Sequence, residues 1–376
     1  MTPSDFYNPD FDLGSLPAFP DLPARKNNIW LASYPKSGNT WMRLFLTSYL
    51  GGQDQTDINK DLVDNHQCNR RSLASLIARK KITDFSELDV SRVRVGMQRL
   101  YARFPQKLII KTHGAIANFR GYPTFDAEST YKSIVVLRNP LAVLPSYAHH
   151  MGLDIDTAII SMARRNTILG ETSNNRLPVF LGSWTDFTRS WIAARQMMSA
   201  ILVKYEDMKA DPEKAFGSVL SHIGMPSDPE RMQRAIEATS FDKLKAQDIK
   251  TGFKERTKAD KSVVFFRSGK VDGWRKELTE EQILATIHNH WDVMEQLDYI
   301  PPDLQTEFED IKFKALEALI EKGTDIGAYA DDLNALRAKR GIQSRLKVNT
   351  QKTQVSIKAA RRAKDAKRPA AKRTFG

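Results

Sequence analysis

Short apolar runs alternate along the chain with longer stretches in which apolar residues recur at helical spacing. The runs cover residues 29–33, 108–112, 133–137 and 200–205, and none of them places a polar residue at every second position. Runs of this length without polar alternation are typical of parallel strands that are covered on both faces. Strands that alternate with helices predict an α/β fold of three layers, in which a mainly parallel central sheet carries helices on both faces.

Two helix signals follow these predicted strands. Residues 41–50 come directly after the first run, and their large apolar side chains recur at helical spacing. Asp211 followed by Pro212 is typical of an N-cap with proline at the first helical position, which predicts a helix over residues 213–223.

The pattern changes after residue 300. Residues 308–320 form an amphipathic stripe that ends near Gly323, and residues 329–336 predict a second short helix. The preceding segments contain no internal repeat. The chain is therefore predicted to consist of an extended N-terminal arm (1–27), a main α/β domain (28–300), a helical C-terminal extension (301–341) and a basic tail (342–376).

The positive charge is concentrated in that tail. The 376-residue chain has a net charge of +12, and residues 345–376 contribute ten of those charges, so the rest of the chain is nearly neutral. Such a tail is poor in large apolar residues and is predicted to be disordered by itself. It suits weak contact with a polyanion or a membrane surface, but it does not make the body a nucleic-acid-binding domain.

Cysteine content and hydropathy indicate the compartment. A single cysteine, Cys68, excludes an intrachain disulfide and a cysteine-based metal site within one chain. The sequence contains no uncharged apolar run of membrane-spanning length, and its N-terminus is acidic and proline-rich rather than basic and then apolar. We expect a cytoplasmic protein.

The first candidate for chemistry is the segment Tyr-Pro-Lys-Ser-Gly-Asn-Thr-Trp at residues 34–41, between the first predicted strand and its helix. A tight turn at a helix N-terminus gathers free backbone N–H groups, which favour an anion. Lys36 adds a positive charge, and Gly38 allows the backbone to approach a ligand closely. The segment predicts a phosphate-binding loop. The nucleotide-kinase pattern G-x-x-x-x-G-K-[ST] is absent from the sequence, because here the lysine precedes the glycine.

Later segments contain residue types that are compatible with the same kind of ligand. Arg138 and Ser146 lie eight residues apart in the stretch that follows the third predicted strand, and both residue types donate hydrogen bonds to phosphate. Aromatic residues that suit a purine ring occur in Tyr-Glu-Asp at 205–207 and Thr-Ser-Phe at 239–241. Phe-Arg-Ser-Gly at 266–269 adds another cation beside a glycine.

Taken in order, these segments resemble those of sulfotransferases that use 3′-phosphoadenosine 5′-phosphosulfate (PAPS). Asn39 and Ser268 stand where that family usually has threonine and lysine. The resemblance covers roughly the first 300 residues and implies PAPS as co-substrate and no metal. The residues that it implies in nucleotide binding are Lys36, Ser37, Gly38, Asn39, Thr40, Trp41, Arg138, Ser146, Tyr205, Thr239, Phe241, Arg267, Ser268 and Gly269.

The resemblance also implies catalytic roles. His113, in Ile-Ile-Lys-Thr-His after the second predicted strand, matches the family's catalytic base, and imidazole titrates in the range that suits proton abstraction. Lys111 lies two residues earlier and is predicted to point to the same side of the strand. Lys111 is expected to face the transferred sulfuryl group, and Lys36 the bridging oxygen. The implied reaction is in-line transfer to a hydroxyl or amine that releases adenosine 3′,5′-bisphosphate.

Two other interpretations remain open at this point. One is a small-molecule kinase that uses ATP, since its phosphate loop has a similar architecture. The other is a polyanion-binding protein that acts through the basic tail. The acceptor of a sulfotransferase reaction would be a small molecule, a lipid or a glycan, and no motif indicates which of these it is or what the oligomeric state is.

Overall fold

The computed structural model describes residues 24–52, 56–59, 69–78, 87–119, 121–170, 176–256 and 264–342. Most of the predicted N-terminal arm, Cys68 and the basic tail after residue 342 lie outside the described residues. The chain separates into two compact units, Met1–Ile300 and Pro301–Gly376. Within the described part of the chain, no helix has the length and apolar character needed to cross a membrane.

The first unit alternates strands and helices. Its strands are β1 (Asn28–Ser33), β2 (Leu108–Thr112), β3 (Asn118–Phe119), β4 (Tyr122–Pro123), β5 (Thr130–Leu137), β6 (Ile168–Leu169), β7 (Val179–Phe180) and β8 (Ala200–Lys204). Its helices are α1 (Asn39–Gly51), α2 (Arg71–Ala78), α3 (Glu87–Tyr101), α4 (Pro140–Met151), α5 (Ile155–Ala163), α6 (Trp184–Ala193), α7 (Tyr205–Ala210), α8 (Pro212–His222), α9 (Pro229–Ala238), α10 (Phe241–Thr251) and α11 (Glu280–Gln296), with a 3₁₀ turn at Gly273–Lys276.

The four predicted strands form one parallel sheet in the order β2-β1-β5-β8. The α/β prediction is confirmed. Three boundaries differ: β1 begins at Asn28, β5 begins at Thr130, and Tyr205 begins α7 instead of ending β8. Glu206 and Asp207 follow it in the first turn of α7, where negative charge favours a helix N-terminus.

Both faces of the sheet are covered by apolar packing. On one face, Ile29 and Val136 join a buried cluster in which Phe45 of α1 stacks on Phe216 of α8, with ring centroids 3.9 Å apart. On the other face, Trp30 contacts Phe125 edge to face at 4.9 Å. Neighbouring β1 residues thus point to opposite faces, and each face is buried, which explains why the strand sequences lack polar alternation.

The helix signals agree with the structure. The helix after the first strand begins two residues before the predicted start, at Asn39. The Asp211 side chain accepts a hydrogen bond from the backbone N–H of Lys214, as an N-cap does, and α8 begins at Pro212.

The second unit contains α12 (Gln305–Glu321) and α13 (Ala330–Lys339), with short 3₁₀ turns at Pro302–Leu304 and Gly327–Tyr329. Several ion pairs connect the helices, including one between Lys339 and Glu309. Arg337 forms a bidentate pair with Glu317, and Lys312 Nζ lies 2.7 Å from an Asp332 carboxylate oxygen. Both predicted C-terminal helices are therefore present.

Candidate active site

The carboxyl ends of the four parallel strands lie at one edge of the sheet, and each leads into a predicted site segment. β1 leads into the loop at 34–38, β2 into His113, β5 into Arg138 and β8 into Tyr205. From β1 the chain continues to β2 on one side of the sheet, and from β5 it continues to β8 on the other side. The direction of the strand order therefore reverses between β1 and β5. In open α/β sheets, ligands bind outside the carboxyl ends of the strands at such a reversal.

A cavity of about 640 Å³ lies at this edge, and we call it the main cavity. It collects most of the residues predicted from the sequence. The predicted residues that line it are Lys36, Gly38, Asn39, Thr40, Trp41, Lys111, His113, Arg138, Ser146, Tyr205, Phe241, Arg267, Ser268 and Gly269.

Two predicted residues do not line the main cavity. Ser37 is buried, and its backbone N–H donates to the Tyr34 carbonyl oxygen within the loop. Thr239 is buried as well, and its hydroxyl donates to the Ala235 carbonyl oxygen at the end of α9. A direct ligand role for either side chain stays a prediction.

The loop before α1 has an unusual backbone conformation at two positions. Lys36 has φ of 67° and Gly38 has φ of 105°, so a lysine as well as a glycine lies in the left-handed region. Non-glycine residues with such φ values cost energy and concentrate at functional sites. The Lys36 carbonyl oxygen accepts a hydrogen bond from Arg138 Nη1 at 3.2 Å, which connects the loop to the end of β5.

Lys36 is half-buried and lies near other cations. Its ammonium nitrogen lies 3.6 Å from the centroid of the Phe265 ring. Burial lowers the pKa of Lys36 to about 7, and the nearby Arg138 guanidinium acts in the same direction. A pKa of about 7 makes the charge of Lys36 sensitive to pH in the physiological range.

His113 has one of its ring nitrogens fixed by the backbone. Nδ1 lies 2.7 Å from the Ser33 carbonyl oxygen, a geometry in which Nδ1 carries the proton and donates it, leaving Nε2 as an acceptor. Burial lowers the pKa of His113 to about 3, and the Lys111 ammonium group adds to that effect. The imidazole is therefore neutral at physiological pH.

The segment that follows His113 is anchored to the sheet layer. Trp191 of α6 donates its indole N–H to the Gly114 carbonyl oxygen at 3.0 Å, and the Ala115 N–H donates to the Phe180 carbonyl oxygen at 2.8 Å. Trp191 is itself fully buried. Hydrogen bonds of its own side chain and of the two residues that follow it thus hold His113 in position.

Arg138 lines the cavity, and one of its N–H donors forms no hydrogen bond among the described residues. Nη2 donates to the Lys270 carbonyl oxygen at 3.0 Å, and the guanidinium carbon lies 4.1 Å from the centroid of the Tyr205 ring. The buried Nε has no hydrogen-bond partner among the described residues. Ser146 lies on α4, which continues as a helix across Pro145. A buried guanidinium whose N–H donor has no protein partner is suited to bind an anionic ligand.

Aromatic rings surround the N-terminus of α1. Trp41 and Tyr205 contact each other edge to face at 5.7 Å, and Lys209 Nζ lies within 6 Å of the rings of both Trp41 and Phe241. The Tyr205 hydroxyl donates to the Gly269 carbonyl oxygen at 3.0 Å. These contacts join α1, α7 and the 266–269 segment around one space.

Two glycines allow the backbone to come close to these rings. A Cβ at Gly38 would lie 2.6 Å from the Tyr205 ring, and one at Gly269 would lie 2.4 Å from the Phe241 ring. Gly269 also has φ of 62°. Neither position has room for a side chain, so the two rings approach the backbone as closely as the packing allows.

Three acidic residues at or behind the cavity wall were not predicted from the sequence. Glu255 accepts two hydrogen bonds from the fully buried Arg43 guanidinium and one from Lys111 Nζ at 3.3 Å. Burial raises the pKa of Glu255, but Lys111 and Arg43 outweigh burial and lower it to about 2. Glu255 therefore stays ionised between two cations.

The other two acidic residues hold the segment that contains the 266–269 motif. Buried Asp248 accepts hydrogen bonds from Arg256 Nε at 2.7 Å and from the backbone N–H groups of Phe265 and Phe266 at 2.6 and 3.1 Å. Glu277 forms a bidentate pair with Arg267 at 2.5 and 2.9 Å. Arg267 thus lines the cavity already paired with a carboxylate.

Comparison with known proteins identifies the family. The sulfotransferase domain family matches residues 26–297. Mouse sulfotransferase 1B1 is 27% identical over 267 residues, covering 68% of this chain and 78% of the relative, and flavonol 3-sulfotransferase of Flaveria bidentis is 25% identical over 276 residues, covering 69% and 79%. The chain belongs to the sulfotransferase domain family.

The chain is also similar to solved structures. Mouse sulfotransferase SULT7A1 complexed with PAP has a TM-score of 0.47 and 23% identity, with 75% of this chain and 88% of that chain covered. Retinol dehydratase in complex with androsterone and PAP has a TM-score of 0.49 and 19% identity, with 75% and 84% covered.

Proposed function

We propose that the protein is a PAPS-dependent sulfotransferase that transfers a sulfuryl group to a hydroxyl or amine of a small acceptor. Family membership supports the reaction class. The observation that carries the proposal is the meeting of Lys36, Lys111, His113 and Arg138 on the wall of one cavity. The proposed catalytic domain is residues 28–300, and residues 301–341 form the helical extension.

The main cavity suits a nucleotide that carries anions at both ends. The first turn of α1 offers N–H groups that have no intrahelical acceptor, and aromatic rings pack directly against Gly38 and Gly269 beside it. Buried polar atoms without partners among the described residues lie in the same region, including Asn39 Oδ1, Trp41 Nε1 and Arg138 Nε. These features are what a bound adenosine bisphosphate requires of its site.

PAPS supplies an activated sulfuryl group when it is bound. In the proposed reaction His113 Nε2 accepts the proton of the acceptor hydroxyl as the new S–O bond forms, and the S–O bond to the phosphate breaks with its electron pair on the leaving oxygen. Lys36 and Lys111 stabilise the charge that moves towards that oxygen. An anion held beside His113 raises the pKa of His113 from its low value in the free protein, which improves it as a base.

Arg138 and Ser146 are the proposed anchors for the 3′-phosphate, together with Arg267, Ser268 and Gly269. Trp41, Tyr205 and Phe241 form the proposed contact surface for adenine. Lys36 and residues 37–40 of the loop bind the 5′-phosphosulfate in this scheme. Arg267 would exchange part of its pairing with Glu277 for the phosphate.

The test separates transfer from binding. His113→Ala is expected to lower transfer of labelled sulfate from PAPS to a panel of phenols, alcohols and amines by about 10²–10⁴-fold, the usual contribution of a positioned base. Calorimetry should still detect binding of adenosine 3′,5′-bisphosphate by this variant. His288→Ala, which changes an exposed histidine of α11, is the matched control and should retain activity. Unchanged turnover in His113→Ala would show that another group is the base.

A further inference from the structure

An ion pair between Arg267 and Glu277 lies on the wall of the main cavity, and its acidic member has no role in the reaction proposed above. The Glu277 carboxylate accepts hydrogen bonds from Arg267 Nη1 and Nη2 at 2.5 and 2.9 Å. The two side chains are 34% and 32% exposed. The pair is therefore accessible to a ligand that enters the cavity.

The pair adjoins the residues that are proposed to bind the 3′-phosphate. Ser268 follows Arg267 along the chain and lines the same cavity. A Cβ at Gly273 would lie 3.5 Å from Ser268 Oγ and 3.7 Å from Glu277 Oε1, so both oxygens lie close to the same glycine. Burial lowers the pKa of Arg138, and the nearby charge of Arg267 acts in the same direction. The Glu277 carboxylate thus lies among the proposed phosphate anchors.

This carboxylate occupies the part of Arg267 that suits a phosphate best. A guanidinium binds a phosphate or a carboxylate through two parallel N–H groups, and here both Nη atoms already donate to Glu277. The buried Nε of Arg267 has no hydrogen-bond partner among the described residues. A phosphate that binds Arg267 must therefore share the guanidinium with Glu277 or displace the carboxylate, and it meets the carboxylate charge at close range.

We infer that Glu277 is a competitor of the nucleotide 3′-phosphate that is built into the binding site. In the free protein its carboxylate offsets the charge of Arg267, and the bound phosphate opens the pair. The pair as a whole then contributes little to affinity, so recognition of the 3′-phosphate depends mainly on Arg138, and adenosine 3′,5′-bisphosphate is released more readily after transfer. This inference rests on the proposed sulfotransferase function.

The first experiment changes Glu277 alone. Calorimetry measures the Kd of the unaltered protein and of Glu277→Gln for adenosine 3′,5′-bisphosphate and for AMP, which lacks the 3′-phosphate. We expect Glu277→Gln to lower the Kd for the bisphosphate by about three- to tenfold, because Arg267 becomes free to bind the phosphate, and to change the Kd for AMP by less than about twofold.

Glu280→Gln is the matched control for Glu277→Gln. Glu280 is an exposed carboxylate in the first turn of α11, three residues further along the chain, and it is not among the described residues that line the main cavity. This variant removes the same charge from the same region of the chain. It should leave both Kd values within about twofold of those of the unaltered protein.

The second experiment determines whether the effect of Glu277 depends on Arg267. Arg267→Gln removes the cation and keeps the carboxylate, so the Kd for the bisphosphate should rise by about tenfold or more. The double variant Arg267→Gln/Glu277→Gln removes both charges and should bind within about threefold of the unaltered protein. If Glu277 instead oriented Arg267 for the phosphate, both single variants would bind more weakly, and the double variant would bind as weakly as Arg267→Gln.

The outcomes distinguish this inference from the proposed function. A Kd for the bisphosphate that is unchanged or raised in Glu277→Gln would overturn the inference, and so would a double variant that binds as weakly as Arg267→Gln. The sulfotransferase function would stand in both cases, because the unaltered protein still binds the bisphosphate and transfers sulfate from PAPS. If the unaltered protein binds neither nucleotide and transfers no sulfate, the proposed function fails, and the inference fails with it.

Discussion

Glu255 Oε2 lies 3.3 Å from Lys111 Nζ, on the wall of the cavity that also contains His113. The other carboxylate oxygen is bound to Arg43, a cation of α1 with no exposed surface. One carboxylate therefore connects the helix after β1 to the end of β2, the elements that adjoin Lys36 and His113. Its charge also determines how much positive potential Lys111 contributes to the cavity.

Replacing this carboxylate tests that connection. Glu255→Gln is expected to lower the free energy of unfolding at pH 7 by about 2–3 kcal/mol, because the buried Arg43 loses the ionised carboxylate that accepts hydrogen bonds from both of its Nη atoms. Transfer activity should also fall, by at least about tenfold, because Lys111 loses its ion pair with Glu255 and its position at the cavity wall changes. Urea denaturation and initial rates with labelled PAPS measure the two effects.

Glu128→Gln is the matched control for Glu255. Glu128 lies 3.3 Å from Arg99 but is largely exposed, and exposed ion pairs contribute little to stability. This variant should unfold within about 0.5 kcal/mol of the unaltered protein. A Glu255→Gln variant as stable and as active as the control would show that the bridge has no role in either property.

Arg138 is expected to determine preference for a 3′-phosphorylated nucleotide. Arg138→Ala should raise the Kd for adenosine 3′,5′-bisphosphate by at least about tenfold, since a hydrogen bond to a charged group contributes about 1.5–3 kcal/mol. The Kd for AMP, which lacks the 3′-phosphate, should change much less. Calorimetry with both nucleotides gives the ratio, and Arg165→Ala, at a largely exposed arginine, is the control. An unchanged ratio of the two Kd values in Arg138→Ala would show that Arg138 does not bind the 3′-phosphate.

The sequence predicted the sheet and most of the cavity wall because both depend on local patterns. Each strand is a continuous apolar run, since both faces of the sheet are buried, and the residue after a run lies at the carboxyl end of a strand. Parallel strands bring those ends together, so Lys36, His113, Arg138 and Tyr205 meet although up to 169 residues separate them.

The acidic residues could not be predicted in the same way. Glu255 lies in a polar segment without periodicity, and its partner Arg43 is 212 residues away, in a helix whose pattern predicts only a buried face. Asp248 resembles any solvated aspartate of a helix until the structure shows three donors around it. Contacts between single charged groups at long sequence separation leave no periodic signal.

Lys36 should couple nucleotide binding to proton uptake. Its pKa of about 7 in the free protein means that the amine is mostly neutral at pH 8. A bound anion favours the ammonium form and raises the pKa, so binding at pH 8 takes up close to one proton, whereas binding below about pH 6 takes up none through this group. The Kd for adenosine 3′,5′-bisphosphate should therefore rise above pH 7, by up to about tenfold per pH unit.

Calorimetry in buffers of different ionisation enthalpy measures the number of protons taken up. Lys36→Met should abolish the uptake at pH 8, because the side chain has similar length and no titratable group. Uptake that persists in this variant would assign the proton to another group, and a Kd independent of pH between 6 and 8.5 would contradict the coupling itself.

His290 is expected to weaken the fold in acid. It is buried with Nδ1 2.9 Å from Thr185 Oγ1, and burial lowers its pKa to about 3, while a histidine in the unfolded chain titrates near 6.5. At pH values between these two pKa values, only the unfolded chain binds the proton. The contribution of His290 to the free energy of unfolding therefore falls as pH decreases, by about 2 kcal/mol from pH 7 to 5. Between pH 7 and pH 5, urea denaturation should show that His290→Gln loses about 2 kcal/mol less free energy of unfolding than the unaltered protein. The exposed-site variant His288→Gln should keep the pH dependence of the unaltered protein. Equal pH dependence in all three proteins would mean that His290 is protonated in the folded state.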